Sequence, residues 1–333
     1  MKAMLDRAEN GGSTYFMDEL GDILPGNSFW ASFIAGEGLP NSYRETAEVW
    51  FTPLVRFISK HQNEARAAPG SPPQVVGLYG CQGSGKSTLA ALLEVWLRDI
   101  LGFNVLRLSL DDFYLTRSQR LSVAKDINPL FATRGVPGTH DIGALETVLQ
   151  AVLARRDGTL TIPQFDKATD DRAPQEKTVT TDNIDLVILE GWCVGLPPEP
   201  LHRLEHPIND LEREQDPKAS WREYVNKSLA GRYAAVFELI TTLVVLKAPH
   251  FDTVVNWRWE QEQKLIGRHQ LASPSSHALM DRAGVERFVQ FYQRLTDWGL
   301  QVMPGRADLC FYLNHDRQIE SHSGPIANVK AAP

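Results

Sequence analysis

One short segment constrains this chain more than any other part of its sequence. Residues 80–87 read GCQGSGKS and match the pattern G-x-x-x-x-G-K-[ST] at every required position. An apolar run over residues 75–79 precedes it, and apolar side chains recur at helical spacing over residues 89–101. Because a strand and a helix flank the segment, we favour a phosphate-binding loop over a glycine-rich turn without function.

The residue types of this loop suit a nucleotide. The glycines allow a tight turn whose N–H groups face phosphate oxygens. Lys86 would supply a point charge to the outer phosphates, and the hydroxyl of Ser87 is an expected Mg²⁺ ligand. We therefore expect ATP and Mg²⁺ to bind here. The expected nucleotide-binding residues are Gly80, Cys81, Gln82, Gly83, Ser84, Gly85, Lys86, Ser87 and Thr88.

Composition and charge exclude several other classes of protein. The net charge of −7, from 34 basic and 41 acidic residues, argues against a protein that coats nucleic acid. No apolar run approaches transmembrane length, and we find no secretory signal or transit peptide, so no membrane partner is expected. Three cysteines, far apart, make a disulfide framework improbable and favour a cytoplasmic location. His202 and His206 are expected to be a structural or solvated pair rather than a zinc site.

The chain divides into two parts at the phosphate loop's strand. Residues 1–72 are predicted to be an N-terminal helical extension and linker, and residues 73–333 the main domain. Within the extension, residues 45–64 have the pattern of an amphipathic helix, which Pro53 either kinks or begins. The main domain is predicted to be α/β, with a parallel sheet of P-loop NTPase type flanked by helices.

Acidic residues end two predicted strands. Residues 104–110 form a strand followed by Asp111 and Asp112, and residues 183–191 form one that ends near Glu190. Because ligands bind at the carboxyl edge of such sheets, Asp111 is a candidate general base for a substrate hydroxyl. The alternative is that Asp111 or Asp112 caps the next helix, and beside a phosphate loop we favour catalysis. Glu190 is a candidate to hold a Mg²⁺-bound water.

Two loops carry further polar candidates. Residues 128–141, rich in glycine and proline, contain Arg134, His140 and Asp141, and Asp141 is also placed to cap the helix that follows. The charged segment over residues 166–172 is either a solvated loop or a place where Lys167 and Arg172 meet an anionic substrate.

The C-terminal part alternates helices and strands. Helices are predicted over residues 221–240, 251–267 and 285–298, strands over 241–246 and 307–313, and a frayed tail from Ser321. Arg258 and Arg268 are candidates for a lid that neutralises phosphoryl charge, with ordinary surface arginines as the alternative.

Several segments together resemble a known family. They are residues 109–116, 134–141, 166–167, 171–172, 189–195 and 257–260, within a likeness that runs from about 77 to 313. The chain is similar to the P-loop small-molecule kinases that include phosphoribulokinase, uridine kinase and pantothenate kinase. It resembles more closely the D-glycerate 3-kinase family of the plant type, with its bacterial and fungal relatives. The loop between Lys167 and Asp171 is shorter than in the plant enzymes, and residues 81–84 differ from theirs.

This resemblance implies an ATP-dependent kinase that converts D-glycerate to 3-phosphoglycerate, with residues 73–333 as the kinase domain. Asp111 falls where uridine kinase-like enzymes have the acid that accepts the hydroxyl proton, so Lys86 and Asp111 are the expected catalytic residues. A carboxylate substrate needs a cationic recess, which Arg134, His140, Lys167 and Arg172 are expected to provide. The expected substrate-side residues are Asp111, Tyr114, Arg134, His140, Asp141, Lys167 and Arg172.

Two alternatives stay open. The first keeps the fold and changes the acceptor to pantothenate or a nucleoside, although a nucleoside would need aromatic stacking that only Tyr114 and Phe165 offer. The second is a nucleotide-binding regulator or switch ATPase, which would need neither a base on the second strand nor a cationic recess.

Overall fold

The computed structural model describes residues 23–328, except for residues 69, 157, 182 and 272–279 and the side chains of residues 264–271. Strands and helices alternate along most of this range. The strands are β1 (Gln74–Gly80), β2 (Val105–Ser109), β3 (Thr159–Ile162), β4 (Phe165–Asp166), β5 (Asp171–Arg172), β6 (Lys177–Thr180), β7 (Leu186–Gly191), β8 (Thr242–Lys247), β9 (Leu309–Leu313) and β10 (Ile319–Ser323).

The described helices lie between and around these strands. The α-helices are α1 (Asn27–Glu37), α2 (Tyr43–Trp50), α3 (Thr52–Ala67), α4 (Lys86–Asp99), α5 (Arg117–Asp126), α6 (Ile142–Leu153), α7 (Asp210–Gln215), α8 (Ser220–Ser228), α9 (Ala234–Phe237), α10 (Phe251–Leu271) and α11 (Arg282–Val302). Short 3₁₀ turns cover Leu110–Phe113, Pro129–Ala132, Leu201–Leu204 and Pro325–Asn328, and a π-helical turn covers Leu229–Tyr233.

A six-stranded sheet organises the molecule, in the order β10-β9-β8-β1-β7-β2. All neighbouring pairs are parallel except β10, which runs antiparallel to β9. Every residue of β1 and β7 is buried, as expected for central strands covered on both faces. The predicted α/β fold with a mostly parallel sheet flanked by helices is confirmed.

Two apolar clusters cover the two faces of this sheet. One contains residues of α6, α8 and α11, and the other combines α4 with the N-terminal helices. Trp30 of α1 meets Trp96 of α4 edge to face, with ring centroids 5.6 Å apart. Arg66 of α3 pairs with Asp185 beside β7, at 2.5 Å. The helices before β1 therefore form part of the layer that covers the sheet, and the division of the chain at residue 72 stays a prediction.

Three local predictions can be compared with the structure. Pro53 begins rather than kinks a helix, because it lies in the first turn of α3, where a missing N–H costs nothing. The predicted helix over residues 221–240 is divided into α8, a π-helical turn and α9. The predicted fraying is wrong for residues 321–328, because β10 pairs with β9 and residues 325–328 form a 3₁₀ turn. The rest of the predicted frayed tail, residues 329–333, lies outside the described residues.

None of the helices in the described ranges combines the length and apolar character that crossing a membrane requires.

Candidate active site

The candidate site lies at the carboxyl edge of the sheet. The phosphate loop follows β1, the turn Leu110–Phe113 follows β2, and Glu190 lies near the end of β7. Ser109 of β2 is the register partner of Glu190 in β7. Since these three parallel strands are adjacent, their carboxyl ends bring together groups that are far apart in sequence.

The backbone of the phosphate loop requires its glycines. Gly83 and Gly85 have φ angles of +79° and +89°, in the left-handed region that glycine adopts without steric cost. The side chain of Ser84 is buried, and its hydroxyl has no hydrogen-bond partner among the described residues. An orphaned hydroxyl inside a glycine-rich turn fits a loop that receives phosphate oxygens. Of the other predicted loop residues, Gly80 and Cys81 are buried, Gln82 and Thr88 are half-buried, and Lys86 begins α4.

Glu190 is held against the loop by hydroxyls. Ser109 Oγ and Ser87 Oγ donate to Glu190 Oε1 at 2.8 and 3.2 Å, and Lys86 Nζ lies 3.9 Å from Oε2. These oxygen donors fit Mg²⁺, which prefers one or two carboxylates together with phosphate oxygens and water. In the described ranges, no three or more His, Cys, Asp or Glu side chains are grouped so as to hold a metal ion by themselves, and the expectation for His202 and His206 stays a prediction.

Asp111 is the acid that faces the site. Lys167 Nζ donates to its Oδ2 at 2.7 Å, and the hydroxyl of Tyr114 donates to its Oδ1 at 3.2 Å. Removal from bulk water raises the pKa of Asp111, but the charges of Lys167 and Lys86 outweigh this and lower the pKa to about 2. Asp111 is therefore ionised at neutral pH, between the phosphate loop and a second cation.

The neighbouring acid lies in a different environment. Asp112 accepts a hydrogen bond from the Phe165 N–H at 3.4 Å, and burial raises its pKa. It lines a separate cavity of about 180 Å³ with Arg107 and Lys177. Of the two adjacent acids, Asp111 is the one that lines the cleft beside the phosphate loop.

That cleft has a volume of about 420 Å³. Its loop side consists of Gln82 and Lys86, and its acid side of Asp111, Tyr114, Arg134 and Lys167. The rest of its lining, which we call the third wall, consists of Trp192, Arg258, Gln261, Phe288 and Tyr292.

Arg134 is positioned by two contacts. Its guanidinium pairs with Asp170 and lies 5.4 Å from the ring centroid of Phe165. Asp170 also binds the fully buried Arg120 at 2.9 Å, which fixes the carboxylate in place. Tyr292 donates to the backbone carbonyl of Arg134 at 3.2 Å. The arginine is held in the cleft, about one-quarter exposed, where a bound anion could approach it.

Three predicted substrate-side residues lie behind the cleft instead of lining it. Arg172 donates to the Tyr114 carbonyl and to the Asp141 carboxylate, both at 3.0 Å. Asp141 accepts from Ala144 N–H at 3.1 Å and caps α6, which confirms its predicted N-cap role. These residues support the segment that carries Tyr114.

His140 also belongs to this supporting group. Its ring stacks on Tyr114 with centroids 4.4 Å apart, and its Nδ1 lies 2.7 Å from the hydroxyl of Tyr233. Burial lowers the pKa of His140 to about 4, against an ordinary value of 6.5. The expectation that His140 contributes positive charge is therefore wrong at neutral pH, because the imidazole is buried and neutral.

Of the two lid candidates, the structure describes the side chain of Arg258 only. Arg258 of α10 lines the cleft, pairs with Glu262 at 2.7 Å and lies 5.6 Å from the ring centroid of Phe288. The side chain of Arg268 lies outside the described residues.

The sequence does not predict most of the third wall. Phe288 and Tyr292, four residues apart on α11, lie in the predicted helix over residues 285–298, and Gln261 lies in the predicted helix over residues 251–267. Neither helix pattern assigns them to a site. Trp192 lies in residues 189–195, one of the segments that resemble the kinase family, but that resemblance gives it no role. Nothing in a helical apolar pattern separates a core-facing aromatic side chain from one that lines a cleft, so periodicity carries no signal for these residues.

A phosphate loop that shares one cleft with an ionised aspartate, a lysine and an arginine is typical of P-loop kinases. A kinase of Schizosaccharomyces pombe, the uncharacterized mug58, is 34% identical over 229 residues, which cover 66% of this chain and 79% of that protein. The chloroplastic D-glycerate 3-kinase of Arabidopsis thaliana is 28% identical over 214 residues, covering 62% of this chain and 44% of that protein.

A solved structure gives the same result for the fold. The D-glycerate 3-kinase of Cryptococcus neoformans var. grubii superposes with a TM-score of 0.65 at 25% identity, covering 81% of this chain and 97% of that one. No protein-family model matches the sequence. The chain belongs to the family of ATP-dependent kinases that these relatives represent, and it is a phosphotransferase with a hydroxyl acceptor.

Proposed function

We propose that this enzyme uses Mg-ATP to phosphorylate a small hydroxy acid, D-glycerate, and that the product is 3-phosphoglycerate. The observation that carries the proposal is Asp111, which lies between the phosphate loop and two cations in one cleft. The Arabidopsis and Cryptococcus relatives, both named D-glycerate 3-kinases, support this acceptor.

The loop side of the cleft would hold the nucleotide. The N–H groups of Gly83 and of residues 85–88, together with the ammonium of Lys86, would bind the phosphates. Ser87 and Glu190 would hold Mg²⁺, which supplies charge neutralisation to the phosphates when bound. The contact of Ser87 Oγ with Glu190 at 3.2 Å keeps both groups oriented toward the loop.

Asp111 would orient the acceptor hydroxyl and receive its proton. As the hydroxyl oxygen forms its bond to the γ-phosphorus, the bond from phosphorus to the ADP oxygen breaks, and the hydroxyl proton passes to a carboxylate oxygen of Asp111. A carboxylate with a pKa of about 2 is a weak base. This suffices because the transition state is loose, so that orientation and charge placement matter more than base strength.

Arg134 and Lys167 would recognise the carboxylate of the acceptor. Both line the cleft beside Asp111, and the planar guanidinium of Arg134 can donate two parallel hydrogen bonds to a carboxylate. Lys167 is 60% exposed at its side chain, so it can bridge a bound acid and Asp111. Arg172 is engaged by Asp141 and would act only through Tyr114.

The three buried cysteines are unpaired, which supports the inferred cytoplasmic location.

The test is ATP consumption by the purified protein with D-glycerate, pantothenate, uridine or no acceptor, with phosphorus NMR to assign the phosphorylated carbon. We expect turnover that depends on D-glycerate and a product phosphorylated at carbon 3. Turnover only with pantothenate or uridine would assign another acceptor. Hydrolysis that is independent of acceptor would overturn the kinase assignment in favour of a switch ATPase.

A further inference from the structure

The turn between β9 and β10 reaches the phosphate loop along the carboxyl edge of the sheet, where parallel strands β9 and β1 both end. Arg317, in this turn, donates from Nε to the carbonyl oxygen of Gly83 at 2.8 Å. The two residues are 234 positions apart in the sequence. This contact ties one backbone carbonyl of the loop to a side chain that lies outside the cleft lining.

The same arginine contacts helix α10. Its Nη2 lies 2.7 Å from Glu260 Oε2, and its guanidinium lies 5.1 Å from the ring centroid of Trp257. The Trp257 indole N–H donates to the His315 carbonyl at 2.7 Å, in the same turn as Arg317. The guanidinium is thus fixed by three groups on two elements.

Gly83 is enclosed by this assembly. A Cβ on Gly83 would lie 2.7 Å from Trp257 Cβ, closer than side chains approach one another. Gly83 therefore packs against α10, and its carbonyl is held by Arg317. A rotation that moved this carbonyl would break the hydrogen bond to Arg317.

A loop that binds phosphate must point its N–H groups inward, and its carbonyls then need partners elsewhere. Arg317 provides that partner for Gly83, and the bond is strong because the donor is charged. We propose that Arg317 is a positioning residue. It holds the Gly83 carbonyl, and with it the turn of the loop in which the Ser84 N–H donates to the Cys81 carbonyl at 3.2 Å. It also links the phosphate loop to α10, the helix that carries Arg258.

The proposal concerns nucleotide phosphates and does not depend on which acid is the acceptor. It is tested without acceptor, by displacing a fluorescent ADP analogue with ADP, GDP or tripolyphosphate in the presence of Mg²⁺. The variants are Arg317→Ala, Arg317→Lys and Glu260→Gln. Arg306→Ala is the control, because Arg306 is exposed, does not line the cleft and does not contact the residues that hold Arg317.

Loss of a charge-assisted hydrogen bond should weaken ADP binding by roughly 10- to 100-fold in Arg317→Ala. The affinities for GDP and tripolyphosphate should fall by the same factor, because the defect is in the phosphate loop. Arg317→Lys should bind with intermediate affinity, because an ammonium can donate to Gly83 but cannot reach Gly83 and Glu260 at once with the geometry of the guanidinium. Glu260→Gln should bind ADP more weakly than Arg306→Ala.

Unchanged ADP affinity in both Arg317 variants would overturn the proposal. So would a loss for ADP that leaves tripolyphosphate unaffected, because Arg317 would then contact the base or ribose instead of positioning the loop. Melting temperatures are measured beside the affinities. If Arg317→Ala does not fold, Arg317→Lys and Glu260→Gln decide the question alone, and wild-type tripolyphosphate affinity in both would overturn it.

Discussion

The loop side and the acid side of the cleft are assembled in different ways. On the loop side, Gln82 and Lys86 come from one continuous segment, whose glycines fix its turn. On the acid side, Asp111, Arg134 and Lys167 come from three segments, held by ion pairs with one another or with residues outside the cleft. A local backbone conformation thus builds one side, and long-range charge pairing builds the other. We expect mutations on the two sides to separate nucleotide binding from acceptor binding.

The largest effect is expected at Asp111, where the two sides meet. Asp111→Asn should lower kcat by roughly 10²- to 10⁴-fold, because the amide cannot take the hydroxyl proton, while ADP binding changes little. Steady-state kinetics and ADP titration measure the two effects. The matched control is Asp112→Asn, which lies outside the cleft and should keep near-normal turnover. The opposite pattern would transfer the base role to Asp112.

The second-largest effect is expected when Lys86, the cation on the loop side, is removed. Lys86→Ala should lower kcat by roughly 10²- to 10³-fold and also weaken ADP binding, because the phosphate charge loses its point-charge partner. The exposed Lys125→Ala is the control in the same assay. A variant that bound ADP normally and failed only in KM for the acceptor would show that the two sides are not separate.

Arg134→Ala should affect the acid side alone. Loss of a charge-assisted contact should raise KM for the acid acceptor by about 10- to 100-fold with little change in KM for ATP. Arg134→Lys should recover part of this, since it keeps the charge without the fork, and the exposed Arg117→Ala should leave both constants unchanged. A larger change in KM for ATP than for the acid would assign Arg134 to the nucleotide.

The smallest expected effect is on the free energy of unfolding at low pH, through His140, which packs behind Tyr114. Because the pKa of His140 is about 4 in the folded protein and near 6.5 when exposed, the unfolded chain binds more protons between these values. Stability from this residue is complete above pH 6.5 and falls as the pH drops toward 4. The loss should be about 1.4 kcal/mol at pH 5.5.

Denaturant unfolding of wild type and His140→Gln at pH 7.5 and 5.5 measures this contribution as the difference between the two proteins, because the sequence contains eight other histidines that both proteins share. The wild type should lose more stability on acidification. Equal losses would show that His140 has the same pKa in the folded and the unfolded chain, so that burial does not keep it neutral. A smaller loss in the wild type would show that the folded protein holds His140 charged, as the expected cationic recess requires.

The sequence predicted the loop side of the cleft nearly completely. Residues 80–88 contain the motif, the strand before them and the helix after them, and the conformation of that turn depends on glycines within it. Asp111 and Glu190 could also be predicted, because a strand that ends in an acid brings that acid to the ligand edge of a parallel sheet. Both depend on short-range patterns.

The sequence did not distinguish among the basic and polar residues of the two loops. Arg134 and Arg172 look alike as loop arginines, yet Arg134 lines the cleft while Arg172 supports Tyr114. His140 could be expected to carry charge until its burial against Tyr114 and Tyr233 was known. These outcomes depend on partners far away in sequence and on burial, which have no local signature.

The tail shows the same limit. Its small polar residues predicted fraying, and only the tertiary structure revealed β10 and the contact of Arg317 with Gly83. Sequence alone determined that this protein has a phosphate loop between a strand and a helix, with acids at the sheet edge, because neighbouring residues encode those features. The tertiary structure alone decided which cations face the cleft and which side chains hold the loop, because charge pairing and burial join residues that the chain separates.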